Sequence, residues 1–141
     1  MYSDPKDCLY CQNNETLHNL MIEFAQLRVS RVFLFKEQSY RGRCLVAYKD
    51  HVNDLNELSE ADRNAFMADV CQVTSAMQKA FNPEKINYGA YSDKLCHLHF
   101  HLAPKYKDGL DYGGIFQMNP QKTYLSDEEY QEMIEEIKKY M

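Results

Sequence analysis

The stretch His97-Leu98-His99-Phe100-His101-Leu102 alternates imidazole and apolar side chains without a break. Strand side chains point to opposite sheet faces at every step, so this run belongs on a β-strand. One sheet face then carries three imidazoles, and the other presents Leu98, Phe100 and Leu102 to a buried core. Neighbouring imidazoles would stand about 6.5–7 Å apart along the strand, too far to hydrogen-bond each other but suited to gripping different atoms of one ligand. A row of protonated imidazoles would repel itself, so the three are expected to be neutral near pH 7. Each then has one lone-pair nitrogen that can act as nucleophile, base or metal ligand. Two or three of them binding a single metal ion is one option this pattern leaves open.

The rest of the chain supplies the elements to cover that core. Ser59 is a good N-cap, and Phe66, Val70, Val73, Met77 and Phe81 form one apolar stripe, so a long helix is predicted from Ser59 to about Phe81, with Pro83 beyond its end. Ser126 and Glu129 make a capping box for a second helix to Tyr140, with Tyr130, Met133, Ile134 and Ile137 on its inner face. Strands are predicted at Val32–Lys36, Cys44–Tyr48 and Leu95–Leu102. Leu17–Val29 fits a helix by its apolar spacing and a strand by its alternation. Ser39–Arg43 reads as a turn, and Tyr106–Pro120, with three glycines, as a loop. With 141 residues and no linker or repeat, residues 1–141 read as a single α+β domain with a mostly antiparallel sheet.

Charge narrows the function. Sixteen basic against twenty-one acidic residues leave a net charge of −5, with no dense Lys/Arg stripe. A protein that tracks nucleic-acid phosphates needs such a stripe, so a polymer partner is not expected, whereas a small phosphorylated ligand is compatible. No apolar run approaches the ~18 residues that span a bilayer, and the opening MYSDPKDCLY is unlike a signal peptide, so no membrane association and a cytoplasmic location are expected. Five cysteines, an odd number, argue against a disulfide framework. Cys44 and Cys71 lie in apolar stretches and are expected in the core.

Cys8-Leu9-Tyr10-Cys11 has the spacing that lets two thiolates reach one tetrahedral zinc. A redox pair is the other use of this motif, but no thioredoxin-like βαβ pattern surrounds it. Two further ligands are needed, and His51, after a predicted strand, and His97, which opens the histidine strand, supply them. Such a Cys₂His₂ site has no open position for water and would be structural. His18 stands alone and reads as structural or exposed.

Asn87–Tyr106 (NYGAYSDKLCHLHFHLAPKY) resembles the signature of the histidine triad (HIT) family, His-φ-His-φ-His-φ-φ with φ apolar. Gly42–Ser59 (GRCLVAYKDHVNDLNELS) resembles that family's hairpin strand, its Lys-x-His end and the start of its long helix, and CLYC resembles the Cys-x-x-C of zinc-bearing members. The resemblance implies an antiparallel sheet of about five strands, a homodimer, and a nucleoside-phosphate hydrolase or nucleotidyltransferase without an organic cofactor. It implies that His99 attacks the α-phosphorus, that His101 and Asn87 contact the phosphate or leaving group, and that Cys8, Cys11, His51 and His97 hold structural Zn²⁺. Arg43, Asp93 and Lys105 depart from the His, Gln and Arg common in similar proteins, and Glu37 is the candidate for a ribose-binding carboxylate. Leu9, Tyr10 and residues of Leu17–Leu27 are candidates for the base pocket. A metal-dependent hydrolase using the strand histidines, and a slow nucleotide-binding or scaffold protein, are the alternative readings.

Overall fold

The structure, a computed structural model, describes residues 4–141. Five strands, β1 (Met21–Gln26), β2 (Ser30–Phe35), β3 (Cys44–Tyr48), β4 (Lys85–Gly89) and β5 (His99–Lys105), form one sheet in the order β1-β2-β3-β5-β4. Every neighbouring pair is antiparallel. The helices are α1 (Leu9–Gln12), α2 (Glu15–Leu20), α3 (Glu60–Phe81) and α4 (Asp127–Lys138). This is the expected α+β architecture. No described helix is long and apolar enough to cross a membrane.

Both long helices start at their predicted caps. The Ser59 hydroxyl accepts from the Asp62 amide, and α3 ends on Asn82 in the left-handed conformation, just before Pro83. At Ser126 both bonds of the capping box with Glu129 are present. The α3 stripe and Tyr130, Ile134 and Ile137 of α4 are buried with Val32, Leu34, Val46 and Leu102 of the sheet. Phe33, Phe35, Leu45 and Ala47, on the other face, are buried with Cys8, Tyr10, Leu17 and Met21 from the N-terminal turns. A sheet covered on both faces loses its polar alternation. Hence all of β3 is buried, and CLVAY reads as a plain apolar run. At Gly42 the backbone has φ +90° and the Phe81 ring stands 2.4 Å from where a Cβ would sit, so the turn before β3 can close on the end of α3 only with glycine there.

Several boundaries differ from the sequence reading for identifiable reasons. Leu17–Val29 is neither one helix nor one strand: α2 runs directly into β1 at Met21, so the periodicity changes midway. The histidine strand begins at His99 rather than Leu95 and continues to Lys105, through Pro104. Proline is tolerated there because β3 pairs only with His99–Leu102, and Pro104 faces only β4, opposite Ile86. β4, with two of its five residues buried at the sheet edge, gives no alternation strong enough to be read alone. Cys44 is buried as expected, but Cys71 is exposed. It follows Val70 by one residue, about 100° around the helix and off the apolar stripe.

One buried carboxylate joins α3 to the sheet. Asp69 accepts from the Arg28 and Val29 amides, from the Ser30 hydroxyl at 2.6 Å and from the Arg28 guanidinium at 2.8 Å, and so holds the β1–β2 turn on the helix. Replacing it by alanine strands those donors. Asp69→Ala is expected to lower unfolding free energy by about 2–3 kcal/mol in urea titrations, with Asp69→Asn losing less.

Candidate functional site

The face of β5 opposite Leu102 carries His99 and His101, paired across to Ala47 and Leu45 of β3. Both imidazoles are buried. His99 Nδ1 lies 2.7 Å from the His97 carbonyl oxygen. A carbonyl only accepts, so Nδ1 carries the proton and Nε2 is bare. The Ser92 hydroxyl is 3.2 Å from the same nitrogen and donates to the same carbonyl, from a residue held at φ 73°. Tyr10 lies against the rings of His97 and His99, with centroids 4.9 and 5.3 Å away.

His101 has the opposite arrangement. Arg43 Nη2 stands 2.8 Å from its Nδ1. A guanidinium only donates, so Nδ1 accepts and Nε2 carries the hydrogen. The ring centroids of His99 and His101 are 5.1 Å apart, closer than the strand repeat alone would set them, because the side chains lean together. The pair thus offers a bare nitrogen beside an N–H donor. Burial pushes the pKa of His99 down, only partly offset by its bond to the His97 carbonyl. His101 is pushed down to about 2, by burial first and then by the Arg43 and His99 charges. Arg43 falls to about 10, through burial, and so remains a cation at neutral pH.

His99 and His101 line a cavity of about 460 Å³. Its apolar wall includes Leu9, Tyr10, Leu20, Met21, Phe35 and Leu45, so the expected pocket residues Leu9 and Tyr10 are present, as are Leu20 and Met21 from Leu17–Leu27. Asp93 and Lys94 bring charges of both signs to the lining. Tyr91, Ser92, Met118 and Asn119 also line it, and no periodicity points to them because all four lie outside helices and strands. Asn87 is not in this cavity. It pairs with Ala103, on the histidine face of the sheet, and lines an adjoining groove with Tyr91 and Phe116. Glu37 is buried and fully engaged, accepting from Ser39, Lys122 and Thr123. Burial would raise its pKa, but those four hydrogen bonds outweigh it and hold the carboxylate charged. It does not line the cavity, so the expectation that it binds a ribose is corrected. His18 is exposed, bonded to Asn13.

The four predicted metal ligands meet. Cys8 Sγ, Cys11 Sγ, His51 Nδ1 and His97 Nδ1 all lie within 4.8 Å of one another. Cys8 is 3.3 Å and Cys11 3.6 Å from His97 Nδ1, and Cys11 is 3.3 Å from His51 Nδ1. A tetrahedral zinc with ordinary Zn–S and Zn–N bonds sets sulfur and nitrogen roughly 3.6 Å apart, so the donor set fits a metal ion. His97 Nε2 donates to the Tyr48 carbonyl at 2.8 Å, which leaves Nδ1 bare towards the sulfurs. Burial holds His97 neutral, its pKa pushed down to about 4.

Residues 17–108 match the HIT domain family. The adenosine 5'-monophosphoramidase of Schizosaccharomyces pombe is 27% identical over 121 residues, spanning 82% of this chain and 85% of its own length. A histidine triad protein from Bradyrhizobium japonicum superposes with a TM-score of 0.82 at 18% identity, covering 90% of this chain and 95% of the other. A zinc-bound histidine triad family protein from Mycobacterium smegmatis gives a TM-score of 0.68 at 15% identity, covering 96% of each chain.

The neutral burial of His101 has a measurable pH signature. Its folded pKa lies below the unfolded value of about 6.5, so its contribution is complete above that pH and is lost as pH falls towards the folded value. Between pH 7 and pH 5 this one group should remove about 2 kcal/mol. Urea unfolding of the wild type and of His101→Gln at the two pH values is expected to differ by about that amount, with the variant less acid-sensitive.

Proposed function

This chain belongs to the HIT family, and on that footing we propose that it is a nucleoside-phosphate hydrolase or nucleotidyltransferase acting at the α-phosphorus through a nucleotidyl intermediate on His99. The observation that carries this reading is the bare Nε2 of His99, fixed by the bond from Nδ1 to the His97 carbonyl, at a cavity of nucleotide size with a largely apolar lining. The S. pombe relative is named for adenosine 5'-monophosphoramidase activity, which makes a nucleoside phosphoramidate the first substrate to test.

His99 Nε2 forms a bond to the α-phosphorus as the bond from phosphorus to the leaving group breaks. The leaving group departs with the electron pair and takes a proton from water. The imidazole becomes a cation, and its Nδ1–H stays on the His97 carbonyl, whose dipole favours the new charge. Water then attacks the same phosphorus and gives its proton to the hydroxide left by the first step, the electron pair returns to Nε2, and a nucleoside monophosphate is released. A second phosphate in place of water gives transfer. The His101 Nε2–H donates to a non-bridging oxygen, and the apolar wall around Leu9, Tyr10 and Met21 takes the base. Asn87, in the adjoining groove on the same sheet face, meets the leaving-group side.

Zinc is the metal proposed for Cys8, Cys11, His51 and His97, where four protein ligands would make it a structural staple between the N-terminal turns and the sheet. The Arg43 cation beside His101 disfavours a second metal among the strand histidines, which speaks against the metal-hydrolase alternative. Asp93 in the cavity lining keeps open one competing reading, a slow nucleotide binder, because a carboxylate there cannot donate to a phosphate oxygen as an amide does.

Intact-mass analysis after rapid quenching with adenosine 5'-phosphoramidate is expected to give an adenylyl adduct on the wild type. In His99→Ala the adduct should vanish and turnover should fall by about a thousand-fold or more. AMP binding without an adduct or turnover would identify the slow binder instead. Elemental analysis of protein purified without a His tag is expected to give one zinc per chain, lost together with thermal stability in Cys11→Ser. A zinc content near zero in freshly purified wild type would overturn the metal assignment.

A further inference from the structure

The structure assigns Arg43 as the positioning residue for His101: it locks that imidazole in the Nε2–H tautomer and sets a permanent positive charge behind it. The role of His101 as a phosphate contact rests on the function proposed above; the geometry of the pair does not.

Arg43 is 0% exposed, which is unusual for a cation. Buried charges normally have an opposite charge at hand. Among the described residues no carboxylate lies within ion-pair distance of Arg43. Its partners are His101 Nδ1 at 2.8 Å and the Gln117 carbonyl at 3.0 Å, and its Nε has none. The guanidinium carbon lies over the rings of Phe35 at 4.5 Å and Phe116 at 5.0 Å, which partly offset the charge. The nearby carboxylate of Glu37 is already held by four donors of its own. Among the described residues the charge therefore has no full partner. His101 touches it and also lines the cavity, so an anion bound at His101 is the complement the site lacks.

The tautomer follows from the chemistry of the donor. A guanidinium has no lone pair to offer, so His101 Nδ1 must accept, and Nε2 must carry the only ring hydrogen. Without that constraint the ring is free to turn a bare nitrogen, and its lone pair, towards a phosphate oxygen. The bond from Arg43 to the Gln117 carbonyl adds a second constraint. It ties the same side chain to the loop that brings Met118 and Asn119 to the cavity.

Long-range ¹H–¹⁵N spectra of the histidine rings near pH 7 test the assignment directly. Wild-type His101 is expected to show a protonated Nε2 and an unprotonated Nδ1. Arg43→Met is expected to lose that single tautomer. It should slow formation of the His99 adduct by about ten- to hundred-fold, with KM changed far less, since a charge behind the phosphate acts in the transition state. Arg43→Lys, which keeps a donor and a charge, is expected to retain the tautomer and lose less rate. A wild-type spectrum with Nδ1 protonated or with mixed tautomers overturns the assignment, and needs no variant to fold. So does a folded Arg43→Met with the wild-type tautomer and a rate within about two-fold. Absence of the adduct in the wild type would sink the proposed reaction while leaving the tautomer result to stand or fall by itself.

Discussion

Three hydrogen bonds at the end of β3 hold the segment that leads into β5, and the site depends on them. The Leu98 amide donates to the Val52 carbonyl, the Leu98 carbonyl accepts from the Tyr48 amide, and the His97 ring donates to the Tyr48 carbonyl. Together they fix His97 twice over. Its side chain is turned towards the two cysteines, and its main-chain carbonyl is aimed at His99 Nδ1. One residue thereby orients the Cys/His cluster with its ring and the neighbouring imidazole with its backbone. The same segment thus links the N-terminal turns to His99 through hydrogen bonds.

The three alternating histidines differ because each ring meets a different partner. His97 donates to a carbonyl and turns Nδ1 to sulfur, His99 donates from Nδ1 to a carbonyl, and His101 accepts at Nδ1 from a cation. Tautomer is set by the second nitrogen of each ring in every case. Burial keeps all three neutral, which allows them to stand at alternate positions along the chain without repulsion.

Much of this was legible from residue order. The two long helices were written in their caps and stripes, and the Cys8, Cys11, His51 and His97 cluster followed from ligand counting. The helix-to-strand change at Met21 was hidden, because Leu17, Leu20, Met21, Phe24 and Leu27 fit a helix while MIEFAQLRV alternates like a strand. The strand shift to His99–Lys105 was hidden by Pro104, whose tolerance depends on where β3 stops pairing. Cys71 misled because an apolar neighbourhood in sequence is not an apolar side of a helix. Arg43 read as a departure from a familiar pattern, and only its distance to His101 reveals what it does. The loop residues on the cavity wall had no pattern to announce them.

Beyond Leu102, β5 has no partner on its β3 side, and the loop after Tyr106 returns over this end of the sheet. Lys105 grips the Asp111 and Gly114 carbonyls, and Tyr40 and Phe116 meet beside Ala103. Met118 and Asn119 on the cavity wall therefore hang from anchors outside the strand ladder, and they fall outside residues 17–108 that match the family. The histidines sit on the strand ladder, and this wall is a panel fastened beside it. Under the proposed function, substitutions in the panel change selectivity while the histidines and their hydrogen bonds stay as they are.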